Sequence, residues 1–155
     1  MPAKKKAKQQ KEPESFSAES DVSPSEDEPE AQEPVVHLRE LVLSDGTAPF
    51  IGWLNSLRDP VARARILFRL ARIMNTGNFG DQRERISGAI SEIRVDYGPG
   101  YRVYYVRLGN VWVILVGGGT KDKQQNDIET AVSLWEKTKD DVERFSREFG
   151  GTTPG

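Results

Sequence analysis

The chain has 155 residues, a formal net charge of −2, no cysteine and one histidine, a length that indicates a single folded domain. The absence of cysteine excludes a disulfide scaffold, a thiol nucleophile and cysteine-based zinc sites, and a single histidine argues against a histidine-based metal centre. No apolar run approaches the roughly 18–20 residues of a membrane helix, and the start lacks the apolar stretch of a secretory signal. We therefore expect a cytoplasmic protein that needs neither a membrane nor a cofactor.

The charge is unevenly distributed along the chain. Residues 1–37 carry a net −4, residues 38–123 a net +5 and residues 124–155 a net −3. Residues 1–35 are predicted to form a disordered tail, because so few apolar groups cannot offset an ordering cost of roughly 1–2 kcal/mol per residue. The tail begins with lysines and turns acidic. One interpretation is a solvated segment without a specific role. The other is that the basic cluster contacts nucleic acid and the acidic block competes with the nucleic acid for that cluster.

The first elements follow from local signals. Val35–Leu43 is rich in branched apolar residues and predicts a strand. Pro49 in a first turn begins a predicted helix, since its missing N–H costs nothing there. Asp59, as an N-cap before Pro60, begins a second helix that is predicted to end near Asn75.

Three more strands and a helix are predicted in the second half. The strands are Ala89–Asp96, Tyr101–Leu108 and Val111–Val116. The last of them has no polar member, which is typical of a strand buried on both faces, and it is predicted to end at the glycines 117–119. A charged helix of about Gln124–Phe149 follows.

This order, β-α-α-β-β-β-α, predicts an α+β domain over residues 36–149. We expect an antiparallel sheet with the two N-terminal helices on one face and a C-terminal helix. Residues 150–155 are predicted to fray.

Arginine is the residue type that points to function. Between Glu12 and Thr120 there is no lysine, whereas eleven arginines lie in that interval. Arginine suits bidentate phosphate contacts and stacking on bases, and tyrosines interleave with it on the predicted strands. Arg94 and Arg102 lie on neighbouring strands, where they could converge on one phosphate. The pattern predicts a surface for single-stranded RNA.

Four ordered stretches carry a family resemblance. They are Pro49-Phe50 with Trp53–Asp59, then Gly77–Asp81, then Glu92–Tyr105, then Gly118–Lys121 with Gln125, Asp127, Ile128 and Ala131. Over about residues 36–138 the chain resembles the RelE/ParE toxin superfamily, and within it the HigB-like addiction module killer proteins. The N-terminal tail departs from that family, whose members usually begin near the first strand.

The resemblance implies the toxin of a type II toxin–antitoxin pair, silenced by a small antitoxin with a helix-turn-helix. RelE-type members cleave mRNA on the ribosome by attack of a ribose 2′-OH on the adjacent phosphate, without metal. By this resemblance Arg102 matches the phosphate-stabilising arginine, Arg94 a basic catalytic position and Lys121 the C-terminal basic residue. Glu92 departs from the pattern, because RelE has a lysine there, and the C-terminal tyrosine of RelE has no clear counterpart. An arginine is also a poor general base, since its pKa exceeds about 12.

Four further residues are candidate substrate contacts, namely Tyr101, Tyr104, Arg107 and Lys123. For the two tyrosines the other interpretation is that they pack in the core. Two alternative functions remain open at this point. One is a ParE-like inhibitor that binds DNA gyrase without catalysis, since one fold hosts both activities. The other is a degenerate, non-toxic binding module.

Overall fold

The structure, a computed structural model, describes residues 33–149. The predicted tail, apart from its last three residues, and the predicted frayed end lie outside the described residues. The elements in chain order are β1 (His37–Glu40), α1 (Pro49–Ser56), α2 (Pro60–Thr76), β2 (Gln82–Ser87), β3 (Ile90–Val95), β4 (Tyr101–Leu108), β5 (Trp112–Thr120), a 3₁₀ turn (Lys121–Lys123) and α3 (Gln124–Phe149).

The five strands form one mixed sheet in the order β1-β5-β4-β3-β2. Strands β2 to β5 pair antiparallel with their neighbours, whereas β1 runs parallel to β5, with His37 opposite Trp112. The predicted all-antiparallel sheet is therefore wrong. Short connections join consecutive strands from β2 to β5, and strands joined in this way pair antiparallel. Between β1 and its partner β5 the chain forms two helices and three strands, so the connection is long enough for parallel pairing.

Two strands also differ from the prediction. Strand β2 is not among the predicted strands, because its sequence is polar, half of it is exposed and a register irregularity interrupts its pairing with β3. Within it Arg85 adopts φ +52°, so the alternation that identifies a strand is lost. Strand β5 continues through the three glycines to Thr120 instead of ending at them.

The helices begin where their local signals indicate. Asp59 accepts hydrogen bonds on Oδ1 from the backbone N–H groups of Val61 (2.9 Å) and Ala62 (3.4 Å), which confirms it as the N-cap of α2. Pro49 is the first residue of α1, and α3 spans the predicted Gln124–Phe149.

Apolar side chains cover both faces of the sheet. Helices α1 and α2 bury Phe50, Leu54 and Ile66 against one face. Helix α3 buries Ala131 and Trp135 against the other. The coarse prediction, an α+β domain with three helices including a C-terminal one, is confirmed. Within the described part of the chain, no helix is both long enough and apolar enough to cross a membrane.

Candidate active site

The hairpin of β3 and β4 aligns charged residues on the sheet face that α3 covers. Arg94 pairs with Arg102, and Glu92 pairs with Tyr104 two positions along. Because side chains alternate between faces along a strand, these four side chains share one face of the sheet. Ile93 lies on the other face, in the core under α1 and α2. The register therefore puts two arginines and one carboxylate side by side.

Glu92 is the centre of this group and has no solvent exposure. Its Oε2 accepts a hydrogen bond from Nε of Arg94 at 3.3 Å, and its Oε1 lies 3.8 Å from Nε of Arg102. Oε1 also accepts a hydrogen bond from Nε2 of Gln124 at 2.7 Å. A buried carboxylate is tolerated only when it is paired in this way. We call Glu92, Arg94 and Arg102 the arginine cluster; it carries one net positive charge.

The two arginines differ in accessibility. The side chain of Arg94 is 33% exposed and also lies 3.7 Å from the carboxylate of Asp81. The side chain of Arg102 is only 10% exposed, and its Nη1 donates to the backbone oxygen of Tyr101 at 3.2 Å. Within the described residues, the buried Nε of Arg102 has no hydrogen-bond partner. Arg102 thus retains unused hydrogen-bonding capacity beside the carboxylate.

Lys121 joins the arginine cluster through a glycine. Its backbone N–H donates to the oxygen of Gly100 at 2.9 Å. Gly100 has φ +87°, and a Cβ there would lie 3.3 Å from Cβ of Lys121 and 3.9 Å from Nη1 of Arg102. Glycine is suited to this position because it adopts a positive φ without strain and because it leaves room for two cationic side chains.

The glycines of β5 allow two other close contacts. A Cβ on Gly118 would overlap the indole of Trp53, lying 2.6 Å from Cδ2. A Cβ on Gly119 would overlap the carboxylate of Asp127, lying 2.8 Å from Cγ. Since Gly119 is the cross-strand partner of Arg102, the carboxylate of Asp127 is brought near the arginine cluster. These glycines therefore make room for side chains packed on the two faces of the sheet.

Two titratable groups at the site have shifted pKa values. Burial is the main cause that raises the pKa of Asp127, while the charge of Lys123 opposes it. Burial likewise raises the pKa of Tyr104, and the negative charges of Glu92 and Asp127 add to the effect. The hydroxyl of Tyr104 has no hydrogen-bond partner within residues 33–149. Tyr104 is therefore a neutral buried group at neutral pH.

The structure brings together only some of the predicted site residues. Arg94, Arg102 and Lys121 form one group, and exposed Lys123 is close enough to Asp127 to lower its pKa. Tyr101 lies on the opposite face of the sheet, with its ring centroid 6.3 Å from that of Trp53.

Tyr104 shares the face of the arginine cluster but is completely buried, so it offers no ring to a base. Arg107 lies at the far end of β4, where its guanidinium is 4.9 Å from the ring of Phe79 and Nη2 donates to the oxygen of Asn110.

Sequence reasoning gave no role to Gln124 or Asp127, although both follow the Gly-Gly-Thr-Lys stretch. The signal that would have found them is the pair of glycines in an otherwise apolar strand, since glycine inside a strand often marks a close approach. No group of three or more acidic or histidine side chains suited to a metal ion occurs within the described residues.

No protein-family model matches the chain. It is 42% identical over 88 residues to an uncharacterized protein of Haemophilus influenzae, and the match covers 57% of this chain and 87% of that protein. The chain therefore belongs to the same family as this Haemophilus influenzae protein.

Proposed function

We propose that the chain is the toxin of a type II toxin–antitoxin pair, a HigB-like member of the RelE/ParE superfamily that cleaves mRNA on the ribosome. Such a toxin would act in the cytoplasm and be silenced by a helix-turn-helix antitoxin. The observation that carries the proposal is the group formed by Arg94, Arg102 and Lys121 at one edge of a sheet face.

The reaction assigned to this group is an internal transfer on RNA. The ribose 2′-oxygen attacks the adjacent phosphorus, the bond from phosphorus to the 5′-oxygen breaks, and a 2′,3′-cyclic phosphate and a 5′-hydroxyl result. Negative charge grows on the non-bridging oxygens during the attack. Fixed cations stabilise that charge more than they stabilise the ground state, which is how they accelerate the step.

Arg94 and Lys121 are the cations that a phosphate would reach first, because the side chain of Arg94 is one-third exposed and Lys121 is exposed. Arg102 would contribute its charge from beneath them. Its Nε is buried 3.8 Å from Oε1 of Glu92, so Arg102 would act on the phosphate through its charge and not through that N–H. Glu92 holds Arg94 in place and is itself enclosed, so we assign it a positioning role.

Proton transfer needs a different residue, because an arginine remains protonated at neutral pH. Asp127 packs against Gly119, the cross-strand partner of Arg102, and within residues 33–149 it forms no ion pair with an arginine. Burial raises its pKa, which makes the carboxylate a stronger base than an exposed aspartate. We propose that Asp127 accepts the proton of the 2′-hydroxyl and that the departing 5′-oxygen takes up a proton from solvent water, which gives the 5′-hydroxyl.

The experiment is induced expression of the chain in a bacterial host, with the ends of ribosome-associated mRNA mapped by primer extension. Arg94→Gln and Arg102→Lys are expected to lower the cleavage rate by about 10²–10³-fold, the usual effect of removing one group that stabilises transition-state charge. Arg58→Gln is the matched control, since Arg58 is an exposed arginine away from the site. Growth arrest with unchanged mRNA ends would contradict the proposal.

A ParE-like inhibitor of DNA gyrase is the second candidate. The observation that favours it is the position of Glu92, which already pairs with both arginines and so lowers the charge available to a substrate phosphate. Inhibition of gyrase supercoiling by the purified protein, with intact mRNA, would support this candidate. Unaffected growth under strong induction would instead support a degenerate, non-toxic binding module.

A further inference from the structure

A polar cleft of about 420 Å³ opens beside the arginine cluster. Arg83 of β2 lines one side, and Lys121, Gln124 and Gln125 line the other, with Ile86 and Ile128 also at the wall. The cleft therefore lies between an edge strand and the first turn of α3. Its lining combines two positive charges with two side-chain amides.

The two cationic side chains that line the cleft have no partner within the described residues. Within residues 33–149, the side chains of Arg83 and Lys121 make no hydrogen bond and no ion pair. Two nearby arginines differ from them: Arg94 pairs with Glu92, and Nη2 of Arg69 donates to the oxygen of Arg94 at 2.7 Å. Two unpaired cations on one cleft are the arrangement expected for an anion site.

One acidic side chain also lines the cleft. Asp122 accepts a hydrogen bond on Oδ1 from Oγ1 of Thr120 at 2.5 Å, which lowers the pKa of Asp122. It therefore stays charged and offsets part of the positive potential. The cleft keeps a net charge of +1.

The cleft is joined directly to the arginine cluster. Arg83 is the cross-strand partner of Glu92, so both side chains lie on the same sheet face. Gln124 lines the cleft and also donates to Glu92. Lys121 belongs to both, since its side chain approaches Arg102 over Gly100. A polymer with regularly spaced phosphates would therefore occupy the cluster and the cleft together.

We propose that this cleft binds the phosphate of single-stranded RNA next to the one held at the arginine cluster. Arg83 supplies the charge that belongs to the cleft alone, Lys121 lies between the two phosphates, and the amide of Gln125 lines the cleft where the sugar or base of that nucleotide would lie. An RNA strand fits better than an acidic peptide because the cleft adjoins, through Gln124 and the pairing of Arg83 with Glu92, the arginine cluster that we propose holds another phosphate. The inference rests on the proposed function only for its ligand class.

The test is binding of a short fluorescent oligonucleotide whose 2′-hydroxyls are methylated, so that it cannot be cleaved. Fluorescence anisotropy over a range of salt concentrations measures affinity and its salt dependence. Arg83→Gln is expected to weaken binding about tenfold and to make the slope of log affinity against log salt shallower by about 0.7, the value for one phosphate contact on a single strand. Lys121→Gln should do the same. Arg58→Gln, with the same charge change on the opposite side of the domain, should leave both quantities near wild type.

The possible results separate this inference from the proposed function. If mRNA is not cleaved in cells but Arg83→Gln still weakens oligonucleotide binding, the cleft is a nucleic-acid site and the proposed reaction is wrong. If Arg83→Gln and Lys121→Gln bind like wild type while Arg94→Gln does not, the cleft proposal is overturned. It is equally overturned if wild type ignores the oligonucleotide and binds polyglutamate through Arg83.

Discussion

Gln124, the first residue of α3, donates a 2.7 Å hydrogen bond from Nε2 to Oε1 of Glu92, a side chain without solvent exposure on β3. The two residues are 32 positions apart in sequence. This contact attaches the start of the C-terminal helix to the same carboxylate that holds Arg94. The position of α3 and the geometry of the arginine cluster are therefore coupled.

Gln124→Ala should destabilise the domain by about 2 kcal/mol, because hydrogen bonds to charged groups contribute about 1.5–3 kcal/mol. Urea unfolding followed by circular dichroism measures the loss. Gln125→Ala is the control: Gln125 is exposed and donates only to Glu129 at 3.2 Å, so the change should stay within about 0.5 kcal/mol. Equal losses of stability in the two variants would show that the hydrogen bond to Glu92 contributes no more to stability than an exposed one.

Removing the carboxylate itself should have a larger effect. Glu92→Ala leaves Arg102 buried without a counter-charge, and unpairing a buried ion pair costs about 3–5 kcal/mol. We expect the lower end of that range, since Arg94 can turn toward solvent and Asp81. Glu92→Gln, which keeps the shape and one acceptor oxygen, should lose less. Thermal unfolding gives both values, and a Glu92→Ala protein as stable as wild type would contradict this account of the arginine cluster.

The glycines of β5 give a prediction about packing. Gly118→Ala should destabilise the domain by about 1–3 kcal/mol, the usual cost of overpacking, because the new methyl group overlaps the ring of Trp53. Gly119→Ala should be similar through its overlap with Asp127. Gly117→Ala is the internal control, since nothing lies within 4 Å of a Cβ at that position.

A double variant distinguishes crowding from a general intolerance of alanine in the strand. Combining Gly119→Ala with Asp127→Ala removes the carboxylate that the methyl group meets. The double variant should therefore recover most of the stability that Gly119→Ala loses, measured as a coupling free energy in a double-mutant cycle. Additive losses would mean that the contact with Asp127 is not the cause.

The elements set by local chemistry could be predicted from the sequence. Asp59 before Pro60 specifies a helix start within three residues, and the structure has that cap. Strand β2 could not be predicted, because its residues are polar and the positive φ of Arg85 breaks the alternation. The parallel direction of β1 could not be predicted either, since it depends on a partner strand more than 70 residues away.

The candidate site follows the same division. That Arg94 and Arg102 are neighbours could be expected from a hairpin that joins their strands. That Tyr101 points away from Arg102 follows from the alternation of side chains along β4, whereas the burial of Tyr104 depends on α3 covering its face, which no local pattern states. The contacts of Gln124 and Asp127 arise only when α3 packs on the sheet. Their roles at the site remain predictions.

Tyr104 and Tyr105 of β4 are expected to respond in opposite ways to the loss of the hydroxyl group. Tyr104 buries a hydroxyl that has no partner within residues 33–149, so Tyr104→Phe should stabilise the domain by about 1 kcal/mol. Tyr105 donates its hydroxyl to Oε1 of Gln82, so Tyr105→Phe should destabilise the domain by about 1 kcal/mol. Urea unfolding at neutral pH measures both changes, and a loss of stability in Tyr104→Phe would indicate a partner for that hydroxyl.

The raised pKa values of the same two tyrosines predict how the free energy of unfolding falls at alkaline pH. Burial raises the pKa of Tyr105 to about 12 and that of Tyr104 further, from an ordinary value of 10.0. Both are protonated in the folded and unfolded chains below pH 10, so their contribution is complete there. As the pH rises above 10 the unfolded chain loses protons that the folded chain keeps, and each tyrosine lowers the free energy of unfolding by up to about 1.4 kcal/mol per pH unit. Tyr104→Phe should therefore flatten the decline between about pH 10 and 12, as measured by urea unfolding at several pH values, and an unchanged slope would mean that Tyr104 ionises at its ordinary pKa in the folded protein.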